Sequence, residues 1–425
     1  MYYDTDDDRL KVYANGKWQS DRTTATVIVA ASDSKNKEKA DIVADGTNDE
    51  TDIENAVTNY LPATGGNVVL LDGTYNIGAD GIDITKSNVT LTGAGNATVV
   101  KRVADSTAVD GTITLGDGGT TAVTNVKITE LQVDGQKSAY SSPNNVAIFF
   151  NQRVTQSQIE GTYIHDIYSY GIYLKGTTQS VSDNTIHNNT IINSSNPIYV
   201  DAGSTSTRAH NISITNNNIS SGVAGIYINY AKYFKVSDNK FSNYQYILSV
   251  DNSEYGVISG NTTDGSTITG VNTAMVISLG ASNYNTIVSN YIYGGSGMGG
   301  SAAIYVDNTS TGNYIAGNTL GNNKITDSGI GTIIQQDDRF LVNGYLKATS
   351  LYLSGTQVTS SATELNILDG ATLSTTELNL LTGRTGTLVD SNSRVRSNRR
   401  NRTGSHNNKY WSREWYLTCR RFNNS

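Results

Sequence analysis

The amino-acid sequence predicts an all-β fold, a parallel β-helix in which short strands stack coil upon coil. The first observation is composition: 16% of the 425 residues are charged and three are Pro, while 41 are Gly and 26 are Tyr. Such a mixture favours short strands joined by polar turns over bundles of helices. The other two observations are a strand motif and an Asn that recur in step along the chain.

The strand motif alternates apolar residues with residues of other types. Its copies are IFFN at 148, IYLK at 172, IYVD at 198, IYIN at 226, LSVD at 248, ISLG at 277 and IYVD at 304. Successive copies start 24, 26, 28, 22, 29 and 27 residues apart, a spacing typical of a solenoid whose coils pack only on their neighbours. Because side chains alternate along a strand, we expect Ile226 and Ile228 to point inward and Tyr227 and Asn229 to point outward.

The recurring Asn is followed within two residues by an apolar residue. The series has steps of 29, 21, 22, 29 and 28 residues and consists of Asn189, Asn218, Asn239, Asn261, Asn290 and Asn318. We predict a structural ladder at a tight bend, in which each side-chain amide bonds to the amides of the coils above and below.

The segment that precedes the repeats reads DIVADGTNDETDIENAVTNYLPATGGNVVLLDGTYNIG, from Asp41 to Gly78. It predicts a short helix with one apolar face, formed by Ile53, Ala56, Val57, Tyr60 and Leu61. Such a helix would cover the open end of the solenoid. The segment resembles the start of β-helices of the pectate-lyase superfamily. The resemblance implies a right-handed parallel β-helix over residues 31–340 with a short N-terminal capping helix.

The outward positions of the strand motif form two columns when the coils are in register. The first contains Phe149, Tyr173, Tyr199, Tyr227, Ser249, Ser278 and Tyr305, and the second contains Asn151, Lys175, Asp201, Asn229, Asp251, Gly280 and Asp307. Neighbouring coils lie about 4.8 Å apart, so the columns form one stripe of aromatic rings beside amides and carboxylates. This suits sugar rings, and the predicted substrate-binding residues are Phe149, Tyr173, Lys175, Tyr199, Tyr227, Asn229 and Tyr305. The alternative is that Tyr is present for its β propensity and stacking.

The candidate catalytic residues are the outward carboxylates Asp201, Asp251 and Asp307. Each is two coils from the next, about 10 Å, which lies just beyond the roughly 6.5–9.5 Å of inverting glycosidases. A lean of the side chains could close this gap, so inverting hydrolysis remains open. A lyase is the weaker alternative, because the stripe offers a single cation, Lys175, to a polyuronate. His165 and Asp166 form either an acid/base pair or a solvated turn. No cofactor and no metal are predicted, since the histidines match no metal-ligand spacing: His165, His187, His210 and His406.

Both ends of the chain resemble parts of phage fibres. SSATELNILDGATLSTTELNLLTG, Ser360 to Gly383, contains a 13-residue repeat that resembles one common in phage tail fibres, and FLVNGYLKATSLYLSGTQV before it alternates like their thin β segments. This implies a fibrous β segment at 341–385 that forms trimers. YYDTDDDRLKVYANGKW resembles a hairpin module of virion proteins, which implies an attachment segment at 1–30. Its Asp4, Asp6 and Asp8 are similar to a calcium loop, but Arg9 stands where Gly is needed, so we predict a solvated turn.

Residues 386–425 have a different, basic composition and contain the single Cys, Cys419. From Arg384 onward, nine Arg and one Lys stand against Asp390 and Glu414, a formal charge of +8, so residues 1–383 carry −15. The tail is either a basic arm for nucleic acid or lipopolysaccharide or, as we expect, the product of a one-nucleotide frameshift. One base later, the codons of Trp411 and Trp415 both encode Gly. In that case the chain is a truncated fibre.

Taken together, the resemblances imply a phage tail fibre or tailspike. The protein would be a homotrimer in the virion, joined to other tail proteins through its N-terminal segment, and would present the stripe to a host-surface polysaccharide outside the cell. The alternatives are a polysaccharide depolymerase and a passive spacer of the fibre. The acidic body disfavours a nucleic-acid partner, and without an apolar run of about 18 residues we predict no membrane insertion.

Overall fold

The computed structural model describes residues 2–4, 9–14, 17–20, 25–264, 277–292, 302–320, 324–336, 339–342, 351–353, 356–359 and 361. The chain divides into two compact units, Met1–Lys347 and Ala348–Ser425. Near the N-terminus, strands β1 (Tyr2–Asp4), β2 (Arg9–Ala14) and β3 (Lys17–Ser20) form an antiparallel sheet in the order β1–β2–β3. Asp6 and Asp8 of the predicted turn lie outside the described residues.

The solenoid is built from short strands and a single α-helix among the residues that the structure describes. Helix α1 (Glu50–Asn55) continues into a π-helical turn (Ala56–Tyr60), and 3-10 turns occur at Lys37–Lys39 and Gly95–Ala97. The strands of its first half are β4 (Thr26–Ala30), β5 (Ile42–Val43), β6 (Gly66–Leu70), β7 (Gly73–Ile77), β8 (Ile82–Ile84), β9 (Val89–Thr92), β10 (Thr98–Arg102), β11 (Asp110–Leu115), β12 (Val123–Thr124), β13 (Lys127–Thr129), β14 (Gln132–Asp134), β15 (Asn145–Asn151), β16 (Val154–Thr155), β17 (Gln158–Glu160) and β18 (Tyr163–Lys175). Those of its second half are β19 (Thr185–His187), β20 (Thr190–Asp201), β21 (Ala209–His210), β22 (Ser213–Thr215), β23 (Asn218–Asn229), β24 (Ala231–Lys232), β25 (Lys235–Ser237), β26 (Lys240–Asp251), β27 (Val257–Ser259), β28 (Thr262–Asp264), β29 (Ile277–Gly280), β30 (Thr286–Val288), β31 (Tyr291–Ile292), β32 (Ala302–Val306), β33 (Tyr314–Ala316), β34 (Lys324–Asp327), β35 (Ile333–Gln336) and β36 (Arg339–Val342).

Three sheet faces enclose one continuous core. Face A is a 14-stranded sheet in the order β36-β35-β33-β30-β27-β25-β22-β19-β17-β13-β9-β6-β4-β5. Faces B and C belong to one 15-stranded sheet, because the long strands β18, β20, β23 and β26 run through both of them. Face B also contains β7, β10, β14, β28 and β31, and face C also contains β8, β11, β15, β29, β32 and β34. The pairing is parallel apart from β35–β36, so the predicted parallel β-helix is confirmed.

The core of face C consists of apolar residues stacked in register from coil to coil. Ile172 pairs with Ile198, Ile198 with Ile226, and Ile226 with Leu248, and all four are at most 3% exposed. The alternate residues of each strand point the other way. The strand motif therefore places one apolar pair per coil in the interior, as the sequence predicts.

The Asn ladder is present but has one different member. Each Asn donates from Nδ2 to Oδ1 of the Asn in the next coil at 2.9–3.0 Å, and the series runs Asn189, Asn217, Asn239, Asn261, Asn290 and Asn318. The prediction of Asn218 is wrong. Asn218 begins β23 and is exposed, whereas Asn217 occupies the bend and is 1% exposed. Residues 216–218 are all Asn, so the spacing of the series does not show which of the three belongs to the ladder.

The N-terminal helix packs against the end of the core, as predicted. Ile53, Ala56 and Val57 are fully buried, but Tyr60, which was predicted on the same face, is 54% exposed. The helix changes to π-helical geometry at Ala56, and this turns Tyr60 outward. Asp49 anchors the helix by accepting hydrogen bonds from the backbone N–H groups of Gly46 and Asn76 at 2.7 Å.

In the second unit, β37 (Leu351–Leu353) and β38 (Thr356–Val358) pair antiparallel. The 13-residue repeat and the basic tail at 386–425 lie outside the described residues, and the four domain boundaries stay predictions. Among the helices that the structure describes, none has the length and apolar character required to cross a bilayer.

Candidate functional site

The outward residues of face C lie in the predicted register. Phe149 pairs with Tyr173, Tyr173 with Tyr199, and Tyr199 with Tyr227, followed by Ser249, Ser278 and Tyr305. In the second column, the paired positions are Asn151, Lys175, Asp201, Asn229, Asp251 and Gly280. Asp307 follows β32 directly. We call these two columns the stripe.

Aromatic rings contact one another along the first part of the stripe. The ring centroids of Tyr173 and Tyr199 are 5.2 Å apart in an edge-to-face arrangement, and those of Tyr199 and Tyr227 are 4.7 Å apart and stacked at 14°. Tyr170, which precedes the strand motif, touches Tyr173 at 4.8 Å and Tyr199 at 4.9 Å. These rings brace one another through stacking contacts.

Two of the predicted binding residues are buried. Phe149 is 1% and Tyr173 is 8% exposed. They form a second small apolar cluster with Val146, and Val109, Tyr170 and Tyr199 pack against this cluster. The expectation that Phe149 and Tyr173 offer ring faces to a ligand is therefore wrong. Both residues support Tyr199 from below. Lys175 lies with Nζ 6.0 Å from the ring centroid of Phe149, in a cation–π contact.

The accessible part of the aromatic column consists of Tyr199 and Tyr227, which are both partly exposed. Tyr305 is also partly exposed, but Ser249 and Ser278 separate it from Tyr227. The hydroxyls keep their protons: burial, followed by the charge of Asp201, raises the pKa of Tyr199 to about 12. Burial and then the charge of Asp251 raise the pKa of Tyr227 as well. Each hydroxyl is therefore a hydrogen-bond donor at neutral pH.

A chain of hydrogen bonds runs beside these rings. Asn252 Nδ2 donates to Asn229 Oδ1 at 3.0 Å, and Asn229 Nδ2 donates to Asp201 Oδ1 at 3.0 Å. Asp201 Oδ1 also accepts from the backbone N–H of Gly203 at 3.0 Å. These contacts fix the side chains of Asn229 and Asp201 while leaving the second carboxylate oxygen of Asp201 for a further donor.

Asp251 and Asp307 approach each other more closely than their positions two coils apart suggest. Gly280 stands between them, and a Cβ at Gly280 would lie 2.3 Å from Asp251 Oδ1 and 3.9 Å from Asp307 Oδ2. The two oxygens are therefore within about 6 Å of each other, closer than the spacing of two coils. The predicted separation of about 10 Å is wrong for this pair, because the absent side chain of Gly280 lets the carboxylates lean together. Asp201 lies on the far side of Asn229 from Asp251.

The two carboxylates have opposite pKa shifts. Burial raises the pKa of Asp251, and the nearby charge of Asp307 adds to it, whereas hydrogen bonds from the hydroxyls of Tyr227 and Ser249 oppose the shift. Burial also acts on Asp307, but hydrogen bonds outweigh it and lower its pKa. The donors are Thr309 Oγ1 at 2.7 Å, Ser310 Oγ at 2.8 Å, and the backbone N–H groups of Thr309 and Ala281 at 3.0 and 3.2 Å. Asp307 thus also holds a turn.

A second aromatic column, which sequence analysis missed, lies at the start of face A. The rings of Tyr233, Tyr255 and Tyr284 stack with centroids 5.5 and 5.3 Å apart and are 53%, 41% and 52% exposed. Lys232 Nζ lies 5.1 Å from the first two rings. The pattern that could have revealed this column is a Tyr two residues before each of β25, β27 and β30.

A family model and the parallel strand pairing together indicate the handedness of the solenoid. A family model described as "Right handed beta helix region" matches residues 170–344, the part of the chain that carries the long paired strands β20, β23 and β26 and most of the stripe. The solenoid is a right-handed parallel β-helix. The stripe thus runs along one outer face of this β-helix.

Solved structures share the β-helix. The DFA-IIIase of Arthrobacter chlorophenolicus A6 in complex with GF2 gives a TM-score of 0.51 at 11% identity and covers 72% of this chain and 93% of that one. An alginate lyase from Paenibacillus sp. str. FPU-7 gives 0.47 at 18% identity (72% and 98% covered), and ORF18 of Geobacillus virus E2 gives 0.45 at 16% identity (77% and 67% covered). At 11% identity, the similarity to the DFA-IIIase structure supports the fold alone. No curated protein matches the sequence.

Proposed function

We propose that this β-helix is a component of a phage tail fibre or tailspike that binds a host-surface polysaccharide along the stripe. The binding centre consists of Tyr199 and Tyr227 with Asp201, Asn229 and Asp251 beside them. The observation that carries the proposal is the stacked, partly exposed pair Tyr199–Tyr227 next to a fixed row of hydrogen-bonding groups.

The chemistry of the two columns matches the chemistry of sugar rings. Sugar rings present C–H groups that pack on aromatic surfaces and hydroxyls that donate to carboxylates and accept from amides and phenols. The coils repeat about every 4.8 Å, so an extended glycan lying along the solenoid axis would meet the rings of Tyr199 and Tyr227 at successive coils and the polar Ser249 at the next one. Buried Phe149 and Tyr173 and half-buried Tyr170 hold Tyr199 in place, and Tyr199 stacks on Tyr227, which lowers the entropy lost on binding.

The assembly that we propose is a homotrimer in the virion, attached to other tail proteins through residues 1–30. The support for it is the resemblance of the N-terminal hairpin sequence and of the 360–383 repeat to virion and fibre modules. Light scattering on the 425-residue protein should give three times the chain mass. A monomer at micromolar concentration would contradict the trimer without affecting the proposal for the stripe.

A glycan array and a host-cell binding assay with the purified 425-residue protein test the binding function. Tyr199→Ala and Tyr227→Ala should each weaken binding at least about 10-fold, or about 1.4 kcal/mol. Tyr60→Ala, which removes an exposed ring from the N-terminal helix, is the matched control and should bind like the wild type. Unchanged binding by both stripe variants, with the fold intact by circular dichroism, would leave the β-helix as a spacer.

Hydrolysis is the second candidate function, and the pair Asp251–Asp307 favours it. Asp251, with its raised pKa, would donate a proton to the glycosidic oxygen. Asp307, with its lowered pKa, would either deprotonate the attacking water or attack the anomeric carbon, as in glycosidases. The oxygens within about 6 Å of each other are compatible with both geometries, since the carboxyl groups stand about 5–5.5 Å apart in retaining and about 6.5–9.5 Å apart in inverting enzymes. However, Asp307 is held by four donors that stabilise its charge and reduce its nucleophilicity, and we therefore favour binding.

Release of reducing ends from bacterial polysaccharides distinguishes the two functions. Binding without release of reducing ends or unsaturated sugars is the expected result. Release by the wild type that Asp251→Asn abolishes would establish hydrolysis and reject binding alone. Release of unsaturated sugars would instead indicate a lyase.

A further inference from the structure

Face B carries a cluster of potential metal ligands that the stripe does not use. His165 Nδ1 lies 2.8 Å from Asp166 Oδ2 and 3.9 Å from Asp134 Oδ1. One ligand atom from each of the three residues lies within 4.8 Å of the other two. The side chains of His165 and Asp134 are 14% and 12% exposed and that of Asp166 is 44% exposed, so solvent reaches the cluster from the side of Asp166.

Backbone geometry brings these side chains together. Asp134 and His165 are paired neighbours on β14 and β18 and point the same way. Asp166 follows His165 in sequence and would point to the opposite side of a regular strand, but its φ of 54° is left-handed. This bend returns its carboxylate to the side of His165. A side chain of the next coil, Asn193, donates to Asp166 Oδ1 and fixes it there.

We propose that Asp134, His165 and Asp166 bind one divalent transition-metal ion. One imidazole nitrogen and two carboxylate oxygens are a ligand set that Zn²⁺ and its neighbours accept, whereas Ca²⁺ and Mg²⁺ prefer oxygen alone. The three ligands leave coordination positions for water. They come from two coils, and His165 and Asp166 are adjacent in sequence, which explains why no metal-ligand spacing appears in the sequence.

The surroundings of His165 suit this role. Gln132 Nε2 lies 2.8 Å from His165 Nε2, and rotation of the amide would place Oε1 there to accept a proton from Nε2. In the structure Nδ1 shares a proton with Asp166 Oδ2. A metal would replace this proton on Nδ1 while Nε2 carries the remaining one, in the arrangement in which metal-bound histidines donate their other N–H to an oxygen. Tyr163 stacks on the imidazole with centroids 4.7 Å apart and restricts its rotation.

The charge around the cluster favours a cation. Metal binding requires the neutral imidazole, and with it the two carboxylates leave the three side chains net negative. Lys137, whose Nζ donates to Asn193 Oδ1 at 3.2 Å, offsets part of this charge. Asp134 accepts hydrogen bonds only from Gln136 among the bonds that the structure describes, through its backbone N–H and its side-chain amide. Each carboxylate oxygen can accept more than one partner, so a metal does not have to displace these donors.

Isothermal titration calorimetry with ZnCl₂, MnCl₂ and CaCl₂ on the tag-free, EDTA-treated 425-residue protein tests the site. We expect one Zn²⁺ per chain with a Kd below about 10 µM, a rise in unfolding temperature on addition of Zn²⁺, and a shift of the His165 imidazole resonances. CaCl₂ should bind at least about 10-fold more weakly than ZnCl₂.

His165→Gln and Asp134→Asn should each weaken Zn²⁺ binding at least about 10-fold, the effect of losing one ligand. His187→Gln is the matched control. His187 lies on face A and also contacts a glutamine, Gln158, and one carboxylate, Glu160. Among the described residues, no second acidic side chain lies close enough to complete a group of three potential ligands around it. Absence of Zn²⁺ binding by the wild type, or an equal loss in His187→Gln, would overturn the proposal. Glycan binding in His165→Gln should be unchanged, so the two proposals fail independently.

Discussion

Tyr227 and Asp251 are neighbours on the stripe, and the Tyr227 hydroxyl donates a hydrogen bond to the Asp251 carboxylate. This bond stabilises the ionised form of Asp251 and partly offsets the effect of burial. The sequence places both residues on one outer face, but it gives no information on their hydrogen bond, which depends on how far each side chain leans.

Tyr227→Phe should raise the pKa of Asp251 further above its ordinary value, because the variant loses a donor to the charged form. The ¹³C chemical shift of the Asp251 carboxyl, followed over pH 3–8, measures the change. Tyr284→Phe, in the second aromatic column, is the control and should leave the titration of Asp251 unchanged. A lower pKa in Tyr227→Phe would contradict the assigned direction of the bond.

Asp83 occupies the first-column position two coils before Phe149, paired with Thr114. Burial, followed by the charges of Asp110, Glu54 and Asp80, raises the pKa of Asp83 to about 7. An unfolded Asp titrates near 3.9, so the folded protein holds a proton that the unfolded chain releases. The free energy of unfolding therefore falls as the pH rises from about 4 to about 7.

Asp83→Asn should remove this pH dependence. The variant should be more stable than the wild type at pH 8, by less than about 2 kcal/mol, because the Asp83 side chain is exposed and solvent screens the repulsion. At pH 4 the two proteins should differ little. Urea unfolding at both pH values measures the difference, and an equal gain at pH 4 and pH 8 would show that repulsion is not the cause.

At the scale of elements, period-two alternation and the repeat spacing were sufficient to predict the strands of face C, their register and the N-terminal helix. They were insufficient where two adjacent residues of the same type could both occupy one position of the Asn ladder, as with Asn217 and Asn218. They also failed where a neighbouring segment covers an outward side chain, as Tyr170 and Val109 cover Phe149. Both failures have one cause: spacing gives the direction of a side chain but not what packs on it.

Asn217→Ala should lower the free energy of unfolding by about 2–4 kcal/mol, because it leaves buried partners unpaired in two coils. The orphaned groups include Ile186 O and the Asn189 side-chain amide. Asn218→Ala, one residue away and exposed, should change stability by less than about 0.5 kcal/mol. Urea unfolding measures both. Equal effects would contradict the assignment of the ladder to Asn217.

At the scale of the molecule, one apolar core runs through the described coils from Val27 to Ile334. Each coil packs on its two neighbours, so stability is approximately a sum of coil and interface contributions. The first coil has a neighbour on one side only, and α1 with its π-helical turn covers the other. The cap therefore protects this end of the solenoid from association through exposed core and strand edges.

Ile53→Asp should uncover this end. A carboxylate at a fully buried position costs at least about 3 kcal/mol unless the helix detaches. We therefore expect lower stability, binding of the dye ANS, and self-association in size-exclusion chromatography. Tyr60→Asp changes an exposed residue of the same element and should behave like the wild type. A monodisperse, dye-negative Ile53→Asp protein would assign the protection to another segment.

Every rung of the Asn ladder offers its neighbours the same donor and the same acceptor at nearly the same distance. Consecutive windings are thus interchangeable modules, although their lengths differ between 22 and 29 residues. A winding could be excised from Asn to Asn, or duplicated, and the new junction would meet a matching surface. Gene rearrangement could lengthen or shorten such a protein in whole steps of about 4.8 Å without redesigning its interior.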